Sequence, residues 1–182
     1  MALVALVIMA LMATLGILVD ITGALIRKQQ LQTMLELGAA AGGRIISEKI
    51  AELANQNVAA GLVAPPNAVE AKYPEKFLTP IQRAWVQTDL GLRDAAADTT
   101  RDYALKNKPE NFPPFDLRGD MDVIFPETYN DCVLQLPGKI ISLKAVGRLR
   151  HPFILGKLAA ALGSAEFLDL SATGLYSIRL CP

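Results

Sequence analysis

The sequence has few of the residues that enzymatic chemistry commonly uses. It contains one histidine and two cysteines, so it offers neither a zinc ligand set nor a nucleophile–base pair of the usual types. It also lacks the glycine-rich loops GxxxxGK(S/T) and GxGxxG that bind phosphate groups. His151 precedes a proline at a predicted helix start, where we expect a turn residue rather than a general base. We therefore predict that the chain is not an enzyme and binds no cofactor or metal.

An excess of charge of either sign is absent too. The 18 basic and 18 acidic side chains cancel to a formal net charge of zero, and the chain shows no basic stripe of the kind that binds nucleic acid. With 182 residues, the chain has room for one compact domain plus one additional element. We therefore expect no nucleic-acid partner.

The first 19 residues contain no ionisable side chain. A helix that continues through Asp20 to Ile26 is about 39 Å long at 1.5 Å per residue, which is enough to cross a bilayer. Asp20 then lies near the far interface, where an acid costs far less than at the bilayer centre. The alternative is a secretory signal peptide, but the apolar stretch exceeds the usual length and no small-residue cleavage pattern follows it. We predict a retained transmembrane anchor at residues 1–26.

Two features give opposite indications of the orientation in the membrane. Arg27 and Lys28 follow the apolar segment, and the positive-inside rule places the side that carries them in the cytoplasm. Cys132 and Cys181 form an even pair in the C-terminal region, which predicts a disulfide made in an oxidising compartment. A basic leader removed before Met1 would reconcile the two indications.

Apolar and small residues continue at helical spacing beyond the anchor. The series Leu31, Leu35, Gly38 and Gly42 predicts an amphipathic stem over residues 27–62, which ends at the consecutive prolines of "GLVAPPN". Within the stem, "LGAAAGG" either lets another helix approach closely or marks a weak point in the helix. The sequence leaves these two alternatives open.

A second helix is predicted at residues 79–105. It begins with "TPIQ", which has the pattern of a capping box with proline at the first helical position. One broad face of this helix is expected to be buried. That face comprises Ile81, Trp85, Leu92, Thr99 and Tyr103.

The C-terminal third is predicted to form a small antiparallel sheet. Short apolar runs at residues 121–125 and 132–136 precede two segments, 139–149 and 168–180, in which apolar and polar residues alternate. A short helix is expected at residues 151–164, between those two strands. The predicted fold class is α+β, in which a long N-terminal transmembrane and stem helix precedes an α+β domain at residues 63–182.

The spacing of several residues resembles a known family. Val19-Asp20, then Leu31-Gln32 within "LQTMLELGAAAGG", is similar to the N-terminal segment of the TadE/TadG-like pilus-assembly proteins. The C-terminal order of a strand, "HPFILGKLAAALG" and "LDLSATGLYSIR" resembles the strand, helix and closing strand of the same family. The two matches cover residues 1–50 and 139–180, which is about half of the chain.

The resemblance implies a minor pilin or pseudopilin-like subunit of a Tad/Flp-type (type IVc) pilus. Such a subunit is held in the bacterial inner membrane by its N-terminal helix, with its body in the periplasm, and helps to initiate, cap or assemble a filament. Its expected partners are other pilin-like subunits, the inner-membrane pilus machinery and membrane lipid, without a small-molecule substrate. The residues expected to serve assembly and packing are Asp20, Leu31, Gln32, Gly38 and Gly42.

A different function class remains open on the sequence. A single-pass periplasmic ligand-binding or sensor module would also have an anchor, a stem and an α+β domain. Its pocket would lie between the helix at residues 79–105 and the sheet.

Overall fold

The computed structural model of the protein describes residues 2–116, 119–128, 140–153 and 167–179. Cys132 and Cys181, the predicted strand at residues 132–136 and most of the predicted helix at residues 151–164 lie outside these ranges. The disulfide therefore stays a prediction.

One continuous helix, α1 (Ala2–Ala59), contains both the predicted anchor and the predicted stem. Its 58 residues span about 87 Å at 1.5 Å per residue. The small-residue stretch at residues 37–43 is helical throughout, so the interpretation of that stretch as a locally melted segment is wrong. The helix ends just before Gly61, which has a φ of 69° and so adopts the left-handed conformation common after helix C-termini.

Two helices replace the single one predicted at residues 79–105. They are α2 (Pro80–Thr88) and α3 (Leu90–Lys106), and two short 3-10 helices, Glu70–Lys72 and Pro74–Phe77, precede them. The capping box of α2 is confirmed, since Thr79 and Gln82 each accept from the other's backbone N–H. Asp89 separates the helices because its extended backbone lets its side chain accept from Leu92 N at 2.7 Å, which starts a new helix.

The predicted buried face of this region is largely wrong. Ile81 and Tyr103 are 82% and 47% exposed, and Trp85 is exposed as well, whereas Leu92 packs against the core. The break at Asp89 changes the phase between the two helices, so one helical period cannot describe both. The residues that α2 and α3 bury are Val86, Ala96, Ala97, Thr100 and Ala104.

Within the described ranges, the antiparallel sheet has four strands, and the other three all pair with β3. The strands are β1 (Met121–Ile124), β2 (Glu127–Thr128), β3 (Ile140–Pro152) and β4 (Phe167–Arg179). β4 pairs along the whole of β3, so β1 and β2 pair one after the other with its opposite edge. His151 therefore belongs to a strand, and its assignment to a turn before a helix is wrong.

The core lies where α1 meets the sheet and α3. The period of two predicted for β3 is confirmed, because Ile141, Leu143, Ala145 and Leu149 are buried, and α1 buries side chains from Asp20 to Asn57 along its length. The fold class is thus α+β as predicted, with a small sheet and helices assembled on the C-terminal two thirds of one long helix.

Candidate functional site: the N-terminal helix and its contacts

The N-terminal part of α1 exposes apolar side chains around its whole circumference. α1 is the one helix in the described ranges that is long and apolar enough to cross a membrane. The exposed fraction is 78% for Leu3 and still 60% for Leu18. Large apolar side chains are exposed at Leu3, Val4, Leu6, Val7, Ile8, Met9, Leu11, Met12, Leu15, Ile17, Leu18, Val19, Ile21, Leu25 and Ile26.

The two hydroxyl groups in this apolar segment are satisfied within the helix itself. Thr14 Oγ1 donates to Ala10 O at 3.0 Å, and Thr22 Oγ1 donates to Leu18 O at 2.8 Å. A bilayer core offers no water to such groups, so internal bonds of this kind are what a membrane-spanning helix requires.

Asp20 marks the point where the helix enters the fold. It is 5% exposed and has an interaction partner within the chain, so its carboxylate is buried in the fold. One turn later, the imidazole of His151 in β3 covers Gly23. A Cβ added to Gly23 would lie 3.4 Å from His151 Nε2. The nearby His151 Nδ1 is buried and has no hydrogen-bond partner in the described ranges.

Gln32 binds the outer edge of β4 through its side-chain amide. Its Nε2 donates to Thr173 O at 2.7 Å, and its Oε1 accepts from Thr173 N at 3.2 Å. Both backbone groups point away from β3, on the edge that a further strand would otherwise pair with. The amide therefore fixes the position of β4 along α1.

Two strand glycines let the sheet approach α1 closely. A Cβ on Gly147 would lie 2.9 Å from Leu35 Cδ1 and 3.0 Å from Leu31 Cδ1, and a Cβ on Gly174 would collide with the Leu35 carbonyl group. Leu31 and Leu35 are fully buried by this contact. Glycine inside a strand often marks such a close backbone approach, and this is the sequence signal by which either residue could be identified.

Gly38 and Gly42 make the contact between α1 and α3. A Cβ on Gly38 would lie 2.6 Å from Thr100 O, and one on Gly42 would lie 2.5 Å from Ala96 O and collide with Thr100 Oγ1. The Thr100 hydroxyl donates back to Ala96 O at 2.8 Å, so no polar group is left unsatisfied in the contact. Close approach of a helix, the other interpretation of the small-residue stretch, is confirmed.

Gly43 faces the sheet instead and accommodates an aromatic ring. A Cβ on Gly43 would collide with the ring of Tyr176 in β4. The Tyr176 hydroxyl lies 3.1 Å from Ser47 Oγ, one turn further along α1. A ring that packs on glycine and ends in a hydrogen bond is well fixed.

All five residues predicted to serve assembly and packing thus make contacts inside the chain, and Asp20 is one of them because it is buried and has a partner there. Leu31 and Gln32 hold the sheet, and Gly38 and Gly42 hold α3. Helical spacing alone does not distinguish packing within a chain from packing between subunits. The part of α1 that precedes Asp20 leaves its apolar side chains exposed to other molecules.

A second surface feature lies on the face of the sheet that α1 leaves open. A cavity of about 540 Å³ is lined by Gly119, Asp120, Arg148, Leu149, Arg150, Asp169, Leu170 and Ser171. The two arginines that line the cavity form ion pairs with exposed acids. Arg148 lies 3.6 Å from Asp122, and Arg150 lies 3.5 Å from Asp169. No group of three or more His, Cys, Asp or Glu side chains in the described ranges could hold a metal ion.

Comparison with known proteins adds no relative. No protein-family model, curated protein or solved structure matches the chain.

Proposed function

We propose that the protein is a membrane-anchored subunit of a Tad/Flp-type pilus, which acts in assembly, initiation or capping of the filament and not as an enzyme. The observation that carries the proposal is the division of α1 into two parts. The part before Asp20 is apolar and exposed on all sides, and the part from Asp20 to Asn57 buries side chains against the rest of the domain.

The described part of the chain leaves this segment exposed, so another molecule has to cover it. Soluble monomers rarely expose contiguous apolar patches of more than a few hundred square ångströms, and a helix that is apolar on every side belongs in a bilayer or between other helices. From Leu3 to Ile26 the helix is about 36 Å long, compared with about 30 Å for a hydrocarbon core. The length and the satisfied hydroxyls of Thr14 and Thr22 support membrane insertion.

The continuity of α1 supports a role in assembly. A helix without a break between anchor and domain transmits the position of one to the other, whereas a flexible linker would uncouple them. Leu31 and Gln32, which belong to the family resemblance, lie inside this rigid connection and contact the sheet. The proposed partners are other pilin-like subunits and the inner-membrane machinery, reached through the exposed apolar segment within the membrane.

A periplasmic position of the domain is part of the proposal. It is supported by the resemblance and by Cys132 and Cys181, which would form a disulfide only in an oxidising compartment. The alternative remains a single-pass ligand-binding or sensor module. The cavity beside Arg148 and Arg150 is the specific feature that favours the alternative, although it lies away from the predicted pocket between α3 and the sheet.

The proposal is tested by fractionating cells that carry the tagged full-length chain. We expect the chain in the membrane fraction and, without detergent, in sheared filaments or in a multi-subunit pilus complex. Leu11→Arg should abolish membrane recovery, because Leu11 lies at the middle of the apolar segment and an arginine at the bilayer centre costs about 2.5–3.5 kcal/mol or more. The matched control is Leu37→Arg, an exposed leucine on the same helix that should remain membrane-bound.

Two results would overturn parts of this proposal. Recovery of a monodisperse monomer that binds a small ligand would replace the pilus subunit by the sensor module. Equal membrane recovery of Leu11→Arg and the unmodified chain would remove the anchor.

A further inference from the structure

The apolar span of α1 and one end of the β3–β4 hairpin lie at the same level. The contact that shows this is His151 on Gly23, where Nε2 and Cε1 lie 3.4 and 3.5 Å from the glycine Cβ position. A hydrocarbon core of about 30 Å takes about 20 residues of helix, so a span that begins at Leu3 ends at about Gly23. The hairpin therefore reaches down to the boundary of the span.

Three of the four described side chains at this end of the ladder are apolar, and they lie on both faces of the sheet. The last described pairs of the ladder are His151 with Leu168 and Pro152 with Phe167. Since neighbouring residues in a strand point to opposite faces, Leu168 shares the α1 face with His151, and Phe167 points to the open face. Phe167 and Leu168 are 45% and 38% exposed. These four residues are named the hairpin end.

Charged and polar residues lie directly above the hairpin end. The next pair of the ladder, Arg150 and Asp169, is an exposed ion pair of 3.5 Å. On α1, Arg27 and Lys28 follow within about two turns of Gly23, and neither forms an ion pair with a residue in the described ranges, although Arg27 donates to Gln30 at 3.0 Å. Going away from the apolar span, apolar side chains are followed by cationic and polar ones. A bilayer has the same order, in which the edge of the acyl chains is followed by the headgroups.

We propose that the hairpin end lies in the interfacial layer of the bilayer that α1 crosses, so that the folded domain rests on the membrane surface at Phe167 and Leu168. The inference depends on the proposed anchor, because the level of the bilayer is set by the apolar span. The occupant of the exposed patch is phospholipid, since His151 of the hairpin end packs on Gly23, at the level where the apolar span of α1 reaches the boundary of the hydrocarbon core. A domain held at two places, on the helix and on the hairpin, has a fixed orientation relative to the membrane.

The chain's single tryptophan allows a direct test. Trp85 lies on α2, which is joined to Asn57 through Gln82 and is thus about 50 Å from Gly23 along α1. In a Trp85→Phe background, Phe167→Trp places the only indole at the hairpin end, and Leu168→Trp gives a second reporter at the neighbouring position. Each full-length variant is reconstituted into phosphatidylcholine vesicles with and without brominated acyl chains, and its circular dichroism spectrum checks the fold.

We expect the indole at position 167 or 168 to emit at shorter wavelength than native Trp85, to lose emission in brominated lipid and to be less sensitive to aqueous acrylamide. Native Trp85 should respond to acrylamide alone. Emission from both reporters that is quenched by acrylamide and not by brominated lipid would overturn the inference, as would shielding from both quenchers, which would identify a protein as the cover.

A third reporter separates this inference from the anchor itself. Leu18→Trp in the Trp85→Phe background lies within the apolar span. Quenching of that indole by brominated lipid, without quenching at positions 167 and 168, refutes the hairpin contact and leaves the anchor intact. An unquenched indole at position 18 refutes the anchor and with it the inference.

Discussion

Gln32 of α1 pairs with Thr173 of β4 as a neighbouring strand would. The side-chain amide donates to the Thr173 carbonyl at 2.7 Å and accepts from its N–H at 3.2 Å. One side chain thereby satisfies both outward backbone groups of a strand edge. The contact joins residues 141 positions apart, so it helps to fix how the last strand lies on the first helix.

Replacing Gln32 by Ala should loosen β4 locally. Two hydrogen bonds are lost at a half-buried position, and each contributes about 0.5–1.5 kcal/mol. We expect the amide of Thr173 to exchange its hydrogen faster in the full-length chain, measured by hydrogen–deuterium exchange. Gln29→Ala, an exposed glutamine one turn earlier, is the control and should leave that amide unchanged. Unchanged protection in Gln32→Ala would contradict the pairing.

Gly42→Ala should destabilise the fold although alanine favours helices. The added Cβ would meet Ala96 O at 2.5 Å as well as the Thr100 hydroxyl, and overpacking of this kind costs about 1–3 kcal/mol. The higher helix propensity of alanine offsets up to about 1 kcal/mol of this cost. We expect a melting temperature lower by several degrees, followed by circular dichroism in detergent.

The control for this substitution is Gly91→Ala in α3. Its Cβ would lie 3.4 Å from Asp89 Oδ1, an ordinary contact, so the melting temperature should stay equal or rise. If both alanine variants were equally stable, the close packing of α1 on α3 would be refuted.

Asn57 ties the end of α1 to α2 through a buried amide pair. Its Nδ2 donates to Phe77 O at 2.6 Å and to Gln82 Oε1 at 2.7 Å, and its Oδ1 accepts from Gln82 Nε2 at 3.1 Å. Asn57→Ala leaves buried partners unsatisfied, which costs about 1–3 kcal/mol. Urea unfolding of the full-length chain should show this loss for Asn57→Ala and none for Asn55→Ala, which changes an exposed residue on the same turn. Equal midpoints would contradict the linkage.

A disulfide between Cys132 and Cys181 is predicted from the sequence alone. It closes a loop of about 50 residues and contributes roughly 4 kcal/mol in the chain-entropy model. Chain purified without reductant should react with a maleimide only after reduction, and its melting temperature should fall when reductant is added. Two reactive thiols in the untreated chain would exclude the bond.

Much of the fold was predictable because period and capping are local signals. The alternation in β3 identified its buried side chains, and Thr79 with Gln82 marked the start of α2. The break at Asp89 was missed because its side chain competes locally with the backbone pattern, and that break moved Trp85 and Tyr103 to the surface.

The roles of the small residues needed the tertiary structure. Gly38 and Gly42 give the same sequence pattern whether they pack on a helix of the same chain or on a helix of a neighbouring subunit. Only the position of Thr100 beside both glycines shows that the packing is within the chain. Gly147 and Gly174 could have been noticed as glycines inside strands. The burial of Asp20 also needed the tertiary structure, because the β3–β4 hairpin packs beside α1 at Gly23, one turn after Asp20.

Site-specific cross-linking from the exposed apolar part of α1 tests most directly whether this segment contacts pilus subunits. A photoreactive phenylalanine analogue at Leu15, which is 55% exposed, is activated in native membranes, and its products are identified by mass spectrometry. The same analogue at Ile81, on the far side of the domain, serves as the control. We expect cross-links from position 15 to pilin-like subunits or to the pilus machinery in the membrane. Lipid adducts on an otherwise monomeric chain would contradict this expectation.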